Sequence, residues 1–501
     1  MHNLFFGYDL YIFLSETFLI LSLILLLVYG VVYSTSYECG YPVLTRNVGA
    51  LAVQVLGLSL LIHLISPPGS NLSCNNLLVL DDLSIFLKTI TLLGSLCCVL
   101  LSMNYVKQEK LNNFEYFVLL LLGVVAIIFI SSAHDLLAMY LSIEFQSLVF
   151  YILATIRRSS EFSTEAGLKY FILGAFSSGL LLFGITMLYG FTGLTNFEDL
   201  SRFFINFDLV IVPPTSSAVL IGMAFIAASF FFKISAAPFH IWSPDVYEGA
   251  PTSVTAFFSI MPKVALLGLF LRLFTRGFHD IFFSWQGIFI FCALSSLAIG
   301  SFGAFAQVRL KRFLAYSSIS HVGYLLTAFA SSNTDGIVSL LVYIVVYIVM
   351  ILGAFSVTLG LRQYHTPSNN SQVRYLQELA IISKTNPTFA LAITIILFSM
   401  AGIPPLGGFF GKLFVFLSAI ESSLYGLTII GVLFSCVACF YYIRVVKMMY
   451  FDQLPTWPVY IPIGRLKSLV LGSSMLFLLG FAMDPELLIL PSVVAENILN
   501  S

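Results

Sequence analysis

Ala224-Phe-Ile-Ala-Ala-Ser-Phe-Phe-Phe-Lys233-Ile-Ser-Ala-Ala-Pro238-Phe-His240-Ile-Trp242 holds one lysine in an otherwise apolar and aromatic run, with a proline five residues later. An ammonium in hydrocarbon costs roughly 2.5–3.5 kcal/mol on insertion scales and more in simulation. A chain keeps one there only where protein or water surrounds it. Pro238 removes a backbone donor and disturbs the helix just past the lysine. A broken helix at membrane depth is tolerated where protein covers it or where it lines a cavity. A charge beside such a break is a candidate ion site.

Outward from this stretch, the chain reads as a polytopic membrane protein. Of its 501 residues, 59% are hydrophobic and 9% charged, whereas about one quarter of a soluble domain is charged. The mean hydropathy is +0.98. A formal net charge of −1 gives no support for nucleic acid or an acidic ligand as partner. Apolar runs recur along the whole sequence. At about 20 apolar residues per crossing they make one membrane domain of about fourteen spans, with lipid around it. Absence of a basic, serine-rich leader leads to the expectation that the chain is inserted by the translation system of its own compartment, a bacterium or an organelle.

Two spans share an unusual grammar. The seventh, roughly residues 216–240, has Lys233 followed by Pro238; the twelfth, roughly 388–420, has Gly402-Ile-Pro404-Pro405-Leu-Gly-Gly followed by Lys412. Each is an interrupted helix with one lysine, and they lie five spans apart. An odd offset reverses the direction of crossing, so the two halves read as inverted copies, the sequence pattern of a transport site. The order of proline and lysine is reversed between them.

Further charges fall inside apolar spans. Glu144, in Met139-Tyr-Leu-Ser-Ile-Glu144-Phe-Gln146-Ser147, sits in the middle of span five. It reads either as a structural carboxyl bonded to a neighbour or as the counter-charge of an intramembrane lysine. Lys169, early in span six, either snorkels to the interface or belongs with these charges. Lys263 follows Pro262 well inside span eight. His321 lies among serines in span ten, where it would hold a water chain or make an ordinary hydrogen-bonded core. Glu16 and Glu421 have no assignable partner. Asp135, His240, Asp245 and Glu248 read as structural or capping groups near span ends. The chemistry suits protons: burial opposes a lysine's charge and a nearby carboxylate restores it, so moving Glu144 toward or away from Lys233 would load or unload a proton, with Lys263 and Lys412 as further stations.

Seven cysteines are present, and Cys436 and Cys439 form a CxxC. They lie in an apolar helix and read as small buried residues on one face. No second pair completes a zinc or iron–sulfur set, and no glycine-rich nucleotide motif occurs. No metal and no redox cofactor are expected in this chain.

Several stretches match one family in order: Asp135-Leu-Leu-Ala-Met-Tyr-Leu-Ser-Ile-Glu144, Phe162-Ser-Thr-Glu-Ala-Gly-Leu-Lys169-Tyr, Phe232-Lys233 through Pro238-Phe-His-Ile-Trp-Ser-Pro-Asp-Val-Tyr-Glu-Gly249, Pro251-Thr-Ser-Val-Thr-Ala-Phe through Pro262-Lys263, Leu314-Ala-Tyr-Ser-Ser-Ile-Ser-His-Val-Gly-Tyr324 and Ala401-Gly-Ile-Pro-Pro-Leu-Gly-Gly-Phe. The chain resembles the subunit 2 family of mitochondrial NADH:ubiquinone oxidoreductase (respiratory complex I), whose members are antiporter-like membrane subunits. The resemblance implies an all-α fold of about fourteen transmembrane helices, with two inverted five-helix repeats and broken helices seven and twelve. The expected organisation is 1–114 for helices one to three, 115–275 for the first repeat, 283–450 for the second, and 451–501 for the last helix and tail.

The family's proton-transfer residues fall on Glu144, Lys233, Lys263 and Lys412, and a further lysine of helix six falls on Lys169. The implied function is to couple NADH oxidation and ubiquinone reduction to proton translocation across the inner mitochondrial membrane, or across a bacterial plasma membrane. NADH, FMN, iron–sulfur clusters and ubiquinone would belong to other subunits, and subunits 4 and 4L would be neighbours. Two other readings stay open: a cation/proton antiporter subunit of the related family, and a structural spacer without transport.

Overall fold

A computed structural model describes residues 11–34, 43–65, 71–109, 111, 113–205, 213–366, 369–452, 459–481 and 491–494. These fall into two compact units. Unit one takes the described residues up to Ile234 together with Met261–Gln286; unit two takes Ser235–Ile260 and the described residues from Gly287 onward.

Unit one contains α1 (Leu14–Ser34), α2 (Val43–Leu64), a hairpin of β1 (Asn71–Ser73) and β2 (Leu78–Leu80), α3 (Asp82–Gln108), α4 (Glu115–Ser132), α5 (Leu136–Ala154), α6 (Glu161–Thr192), the short α7 (Phe197–Ile205) and α8 (Pro213–Ile234). Helix starts follow from capping chemistry. Asp81 accepts from the Ser84 amide at 2.9 Å while Ser84 Oγ takes the Asp81 amide, a reciprocal box that satisfies two amides at the start of α3. Asp135 accepts from the Leu137 amide at 2.7 Å and starts α5, and Thr195 Oγ1 donates to its other oxygen at 2.7 Å. Lipid supplies little hydrophobic drive between helices, so close backbone approach matters. A Cβ at Gly184 of α6 would lie 2.7 Å from the Gly222 carbonyl of α8.

In unit two, α9 (Trp242–Gly249) is followed by α10 (Thr252–Phe270), which starts here, ends in unit one and closes in a π-helical turn, Leu271–Gly277. Next come α11 (Phe282–Phe305), whose first residues belong to unit one, then α12 (Leu310–Ser331), α13 (Thr334–Gly360), a hairpin of β3 (Arg362–Thr366) and β4 (Asn369–Gln372), the single turn α14 (Ile382–Thr385), α15 (Pro387–Ala401), α16 (Gly407–Glu421), α17 (Tyr425–Phe451) and α18 (Arg465–Gly480). Helix α13 is buried along most of its length, whereas α6 in unit one and α17 in unit two present long apolar faces outward.

Twelve described helices are long and apolar enough to cross a membrane. Beside them stand the broken pair α15–α16, whose first half is a shorter apolar helix, and the 16-residue α18, in keeping with the about fourteen expected from the sequence. Both expected breaks are present: α8 stops at Ile234 and the chain resumes helix at Trp242, and α15 stops at Ala401 and resumes at Gly407. Ser235 takes φ +62° at the first break and Gly402 φ +85° at the second. Each left-handed residue turns the chain out of its helix. The loops hold more order than the sequence revealed. The turn-rich stretch before α3 and the long polar stretch after α13 each fold a short antiparallel hairpin, and the soluble-looking loop after α6 contains α7.

Candidate functional site

In unit one, Lys233 lies on the last turn of α8 and is 8% exposed. A helix C-terminus carries partial negative charge and favours a cation there. Its Nζ makes no hydrogen bond with the described residues; the charge it feels is that of Glu144 on α5. Glu144 is half-buried. Its Oε2 accepts from Ser147 Oγ at 3.3 Å, and its Oε1 is buried with no hydrogen bond. Glu144 thus touches a neighbouring hydroxyl, and its charge is the one that bears on Lys233. Lys263 is buried on α10, one residue past Pro262. Lys169 stands on the exposed side of α6 in an ion pair with Glu165, one turn back, at 2.8 Å.

Unit two solves the same problem differently. Lys412 on α16 is 5% exposed, and its Nζ donates to the carbonyls of Met400 and Ala401 at 2.9 Å each. Those carbonyls end α15 and have no partner within their helix. The ammonium also lies 5.0 Å over the Tyr324 ring, a favourable placement for a cation. The approach of α16 to α15 needs a glycine, because a Cβ at Gly408 would lie 1.8 Å from the Ser399 carbonyl oxygen.

His321 on α12 is fully enclosed. Its Nδ1 is 2.7 Å from the Tyr343 hydroxyl and its Nε2 is 3.4 Å from that of Tyr442. Tyr347 packs its ring nearby and donates to the Ser259 carbonyl at 2.9 Å. His321 therefore sits in a phenol cluster rather than among the serines that flank it in sequence. Those serines bond to carbonyls of their own helix: Ser317 to Leu314, Ser318 to Ala315 and Ser320 to Ser317.

Two buried charge sites escaped the sequence reading. Glu16, left without a partner there, receives Lys88 Nζ at 2.6 Å and Ser15 Oγ at 2.6 Å, and the lysine lies 4.8 Å over the Phe13 ring. A lysine six residues into the apolar run of α3 was the available signal. The second is Arg272 in the π-helical turn, 1% exposed, which donates to the Ser131 and Ala133 carbonyls at 2.8 and 3.0 Å and to Asp81 at 2.7 Å. Burial pushes the Asp81 carboxyl up, but the Arg272 charge and the Ser84 amide outweigh it and hold the group below the usual carboxylate range.

Three of the four groups expected to be structural near span ends make such contacts, whereas His240 Nδ1 is buried without a hydrogen bond to the described residues. Asp135 caps α5, Asp245 pairs with Arg312 at 2.8 Å, and Glu248 pairs with Arg309 and Arg312. The CxxC corrects one expectation: Cys436 is exposed and Cys439 half-buried, both as free thiols on the outward side of α17. Among the described residues, no group of three His, Cys, Asp or Glu side chains is placed to hold a metal.

A family model described as "NADH:quinone oxidoreductase/Mrp antiporter, TM" matches residues 133–438. NADH-ubiquinone oxidoreductase chain 2 of Marchantia polymorpha is 47% identical over 487 residues, covering 97% of this chain and 98% of that protein. NADH-quinone oxidoreductase subunit N of Paramagnetospirillum magneticum is 42% identical over 457 residues, covering 91% of this chain and 92% of that one. Among solved structures, a chain of respiratory complex I from Thermus thermophilus with bound aureothin superposes with a TM-score of 0.78 at 26% identity, over 96% of this chain and 99% of that one. A chain of the Mrp complex from Dietzia reaches a TM-score of 0.80 at 20% identity, over 97% of each, and shares the fold.

Proposed function

The chain belongs to the NADH:quinone oxidoreductase/Mrp antiporter family and, within it, to the NADH-ubiquinone oxidoreductase chain 2 group, and from that membership we propose that its buried lysines and Glu144 carry protons across the membrane. It is a membrane subunit of an H+-translocating NADH:quinone oxidoreductase and works inside a multi-subunit complex. The observation that carries the proposal is Lys233: a buried ammonium at a helix break, with no hydrogen bond to the described residues and the charge of Glu144 on α5 bearing on it.

Leaving one partner of a buried charge pair uncompensated costs about 3–5 kcal/mol. The charge on Lys233 is therefore worth holding only while Glu144 is near. A small displacement of Glu144 changes which protonation state is favoured, and no hydrogen bond from the described residues holds its Oε1 in place. Lys263 and Lys412 would take the proton onward, with His321 and its phenols as a hydroxyl relay and Lys169 in a lesser role at the outer side of α6.

The repeats at 115–275 and 283–450 each contribute one half of this machinery. NADH, FMN, iron–sulfur clusters and ubiquinone would be held by other subunits, and the outward apolar faces of α6 and α17 are suited to lipid and to neighbours such as subunits 4 and 4L. The likeness to plant mitochondrial relatives favours the inner mitochondrial membrane.

The test is Lys233→Ala in the assembled complex, purified and sealed into liposomes. NADH-driven proton pumping should be lost with the subunit still present. Full pumping by an assembled variant would sink the proposal. Sodium or potassium flux in the absence of NADH would favour the antiporter reading instead.

A further inference from the structure

A cavity of about 350 Å³ opens at one end of unit one, lined in part by His134, Glu198, Arg272, Arg276, His279 and Asp280. It is large enough to hold several waters. Its rim is wet: Glu198, His279 and Asp280 are 50%, 71% and 38% exposed. Its inner wall is dry: His134 is 2% exposed and Arg272 1%. Neither ring nitrogen of His134 makes a hydrogen bond, although Glu198 Oε1 comes within 3.4 Å of Nε2.

The backbone around His134 is pinned. Its amide donates to the Leu77 carbonyl at 3.0 Å, its carbonyl accepts from the Phe197 amide at 3.2 Å, and the Phe197 ring meets the imidazole edge-on. A buried imidazole with no hydrogen bond to the described residues and only the Glu198 carboxylate in reach, fixed between this cavity and a helix bundle, does more there than a phenylalanine would. Its chemistry is proton exchange.

The end of the unit that bears this cavity follows from the charges. The opposite end carries Lys107, Arg157 and Arg158, with Arg157 paired to Glu109 at 3.1 Å. Outside helices, the described connecting loops carry Arg157 and Arg158 at that end and no Lys or Arg at the cavity end, where Arg202 lies on α7 and Arg272 and Arg276 on the π-helical turn face Asp81. Basic loops stay on the side from which a membrane protein is inserted, so the cavity faces the far side, where pumped protons emerge.

Resting on the proposed proton-carrying function, we infer that this cavity is a hydrated vestibule through which unit one exchanges protons with the outer aqueous phase, with His134 as the proton-carrying group and Glu198 as the carboxylate that draws the proton to water. A proton arriving on interior water forms an N–H bond at one ring nitrogen, and the imidazolium gives the proton on its other nitrogen to a vestibule water. The groups around the ring favour quick release. Arg272 and Arg276 on the π-helical turn repel the imidazolium, while Glu198 on α7 and Asp81 before α3 attract it, and His279 and Asp280 line the rim. Burial, and after it the Arg272 charge, set His134 below the ordinary imidazole range, so the proton is not retained at neutral pH.

The experiment uses the complete complex in liposomes, comparing wild type, Lys233→Ala, His134→Gln and Glu198→Gln for NADH-driven pumping between about pH 5 and 7.5, the range that reaches below the ordinary imidazole value. Pumping in His134→Gln should fall several-fold, and the pH dependence that wild type shows should flatten. Glu198→Gln, altered at a half-exposed side chain and expected to assemble, should move the pH profile without abolishing pumping. Wild-type pumping and pH profile in His134→Gln, while Lys233→Ala has lost pumping, would overturn the vestibule and leave the proton-carrying reading intact. Normal pumping in Lys233→Ala would remove the reading beneath it. If His134→Gln fails to assemble, an unshifted profile in Glu198→Gln is the overturning result.

Discussion

Lys233 and Lys412 are the same residue type placed beside the same kind of helix break, yet the two units hold them in opposite ways. In unit two the break itself supplies the ligands, because the last carbonyls of α15 are freed by Gly402 and accept the Lys412 ammonium. In unit one the lysine sits at the end of its own half-helix, makes no hydrogen bond and answers to a carboxylate on another helix. A lysine held by backbone dipoles has a fixed environment. A lysine that answers to a side-chain carboxylate depends on that carboxylate's position and charge. For the proton-carrying function proposed above, the contrast favours unit one for the switching step and unit two for a fixed station.

The sharpest way to break this comparison is Glu144→Gln, which removes the charge and keeps the size. NADH-driven pumping by the assembled complex should drop by about 100-fold, the low end of what a positioned proton-transfer group contributes. Pumping that is hardly reduced would mean that Lys233 does not depend on Glu144.

Stability should separate the units the other way round. Lys412→Met strands two buried carbonyls, each worth about 1–3 kcal/mol when unsatisfied, so thermal melting of the purified complex should show clear destabilisation. Lys233→Met strands no hydrogen-bond partner, and the carboxylate it leaves behind, Glu144, is only half-buried, so a smaller loss is expected. Equal destabilisation by both variants would erase the distinction.

The break in unit two also predicts that Gly408→Ala disturbs the packing of α16 on α15. The clash is with backbone, which cannot rotate away. A loss of about 1–3 kcal/mol is expected, read as a lower melting temperature. Gly57→Ala, where a Cβ would meet nothing within 4 Å, serves as the control and should not destabilise.

The smallest effect concerns pH at the far end of unit one. The Asp81 carboxyl is depressed in the folded protein. Its contribution is therefore complete above the unfolded value, about 4, and is lost as pH falls through the folded value. The melting-temperature gap between wild type and Asp81→Asn should hold steady from about pH 8 to 5 and narrow only in stronger acid. A gap that already closes between pH 7 and 6 would show that another group sets it.

Much of this was legible in the sequence. The span count followed from apolar run length, and both breaks from Pro238 and from Gly402 with Pro404 and Pro405. Lys233, Lys263 and Lys412 stood out because a charge in an apolar run is costly enough to be deliberate. The helix-capping role of Asp135 was legible for a related reason, since its carboxylate precedes an apolar run. Lys88 carried the same signal and was passed over, so Glu16 remained without its partner.

What the sequence could not give is which groups meet. Arg272 lies 191 residues from Asp81, and Tyr442 lies 121 from His321. The serines next to His321 in the chain look like its partners until the helix turns their hydroxyls back onto its own carbonyls. Local chemistry along the chain thus determined the crossings, the breaks and the identity of the buried charges, because each depends on a few neighbouring residues and the cost of placing them in lipid. Only the tertiary structure decided that Lys412 rests on backbone carbonyls, that Lys233 answers to Glu144, and that His134 lines a cavity, because partner choice depends on which helix faces are brought together.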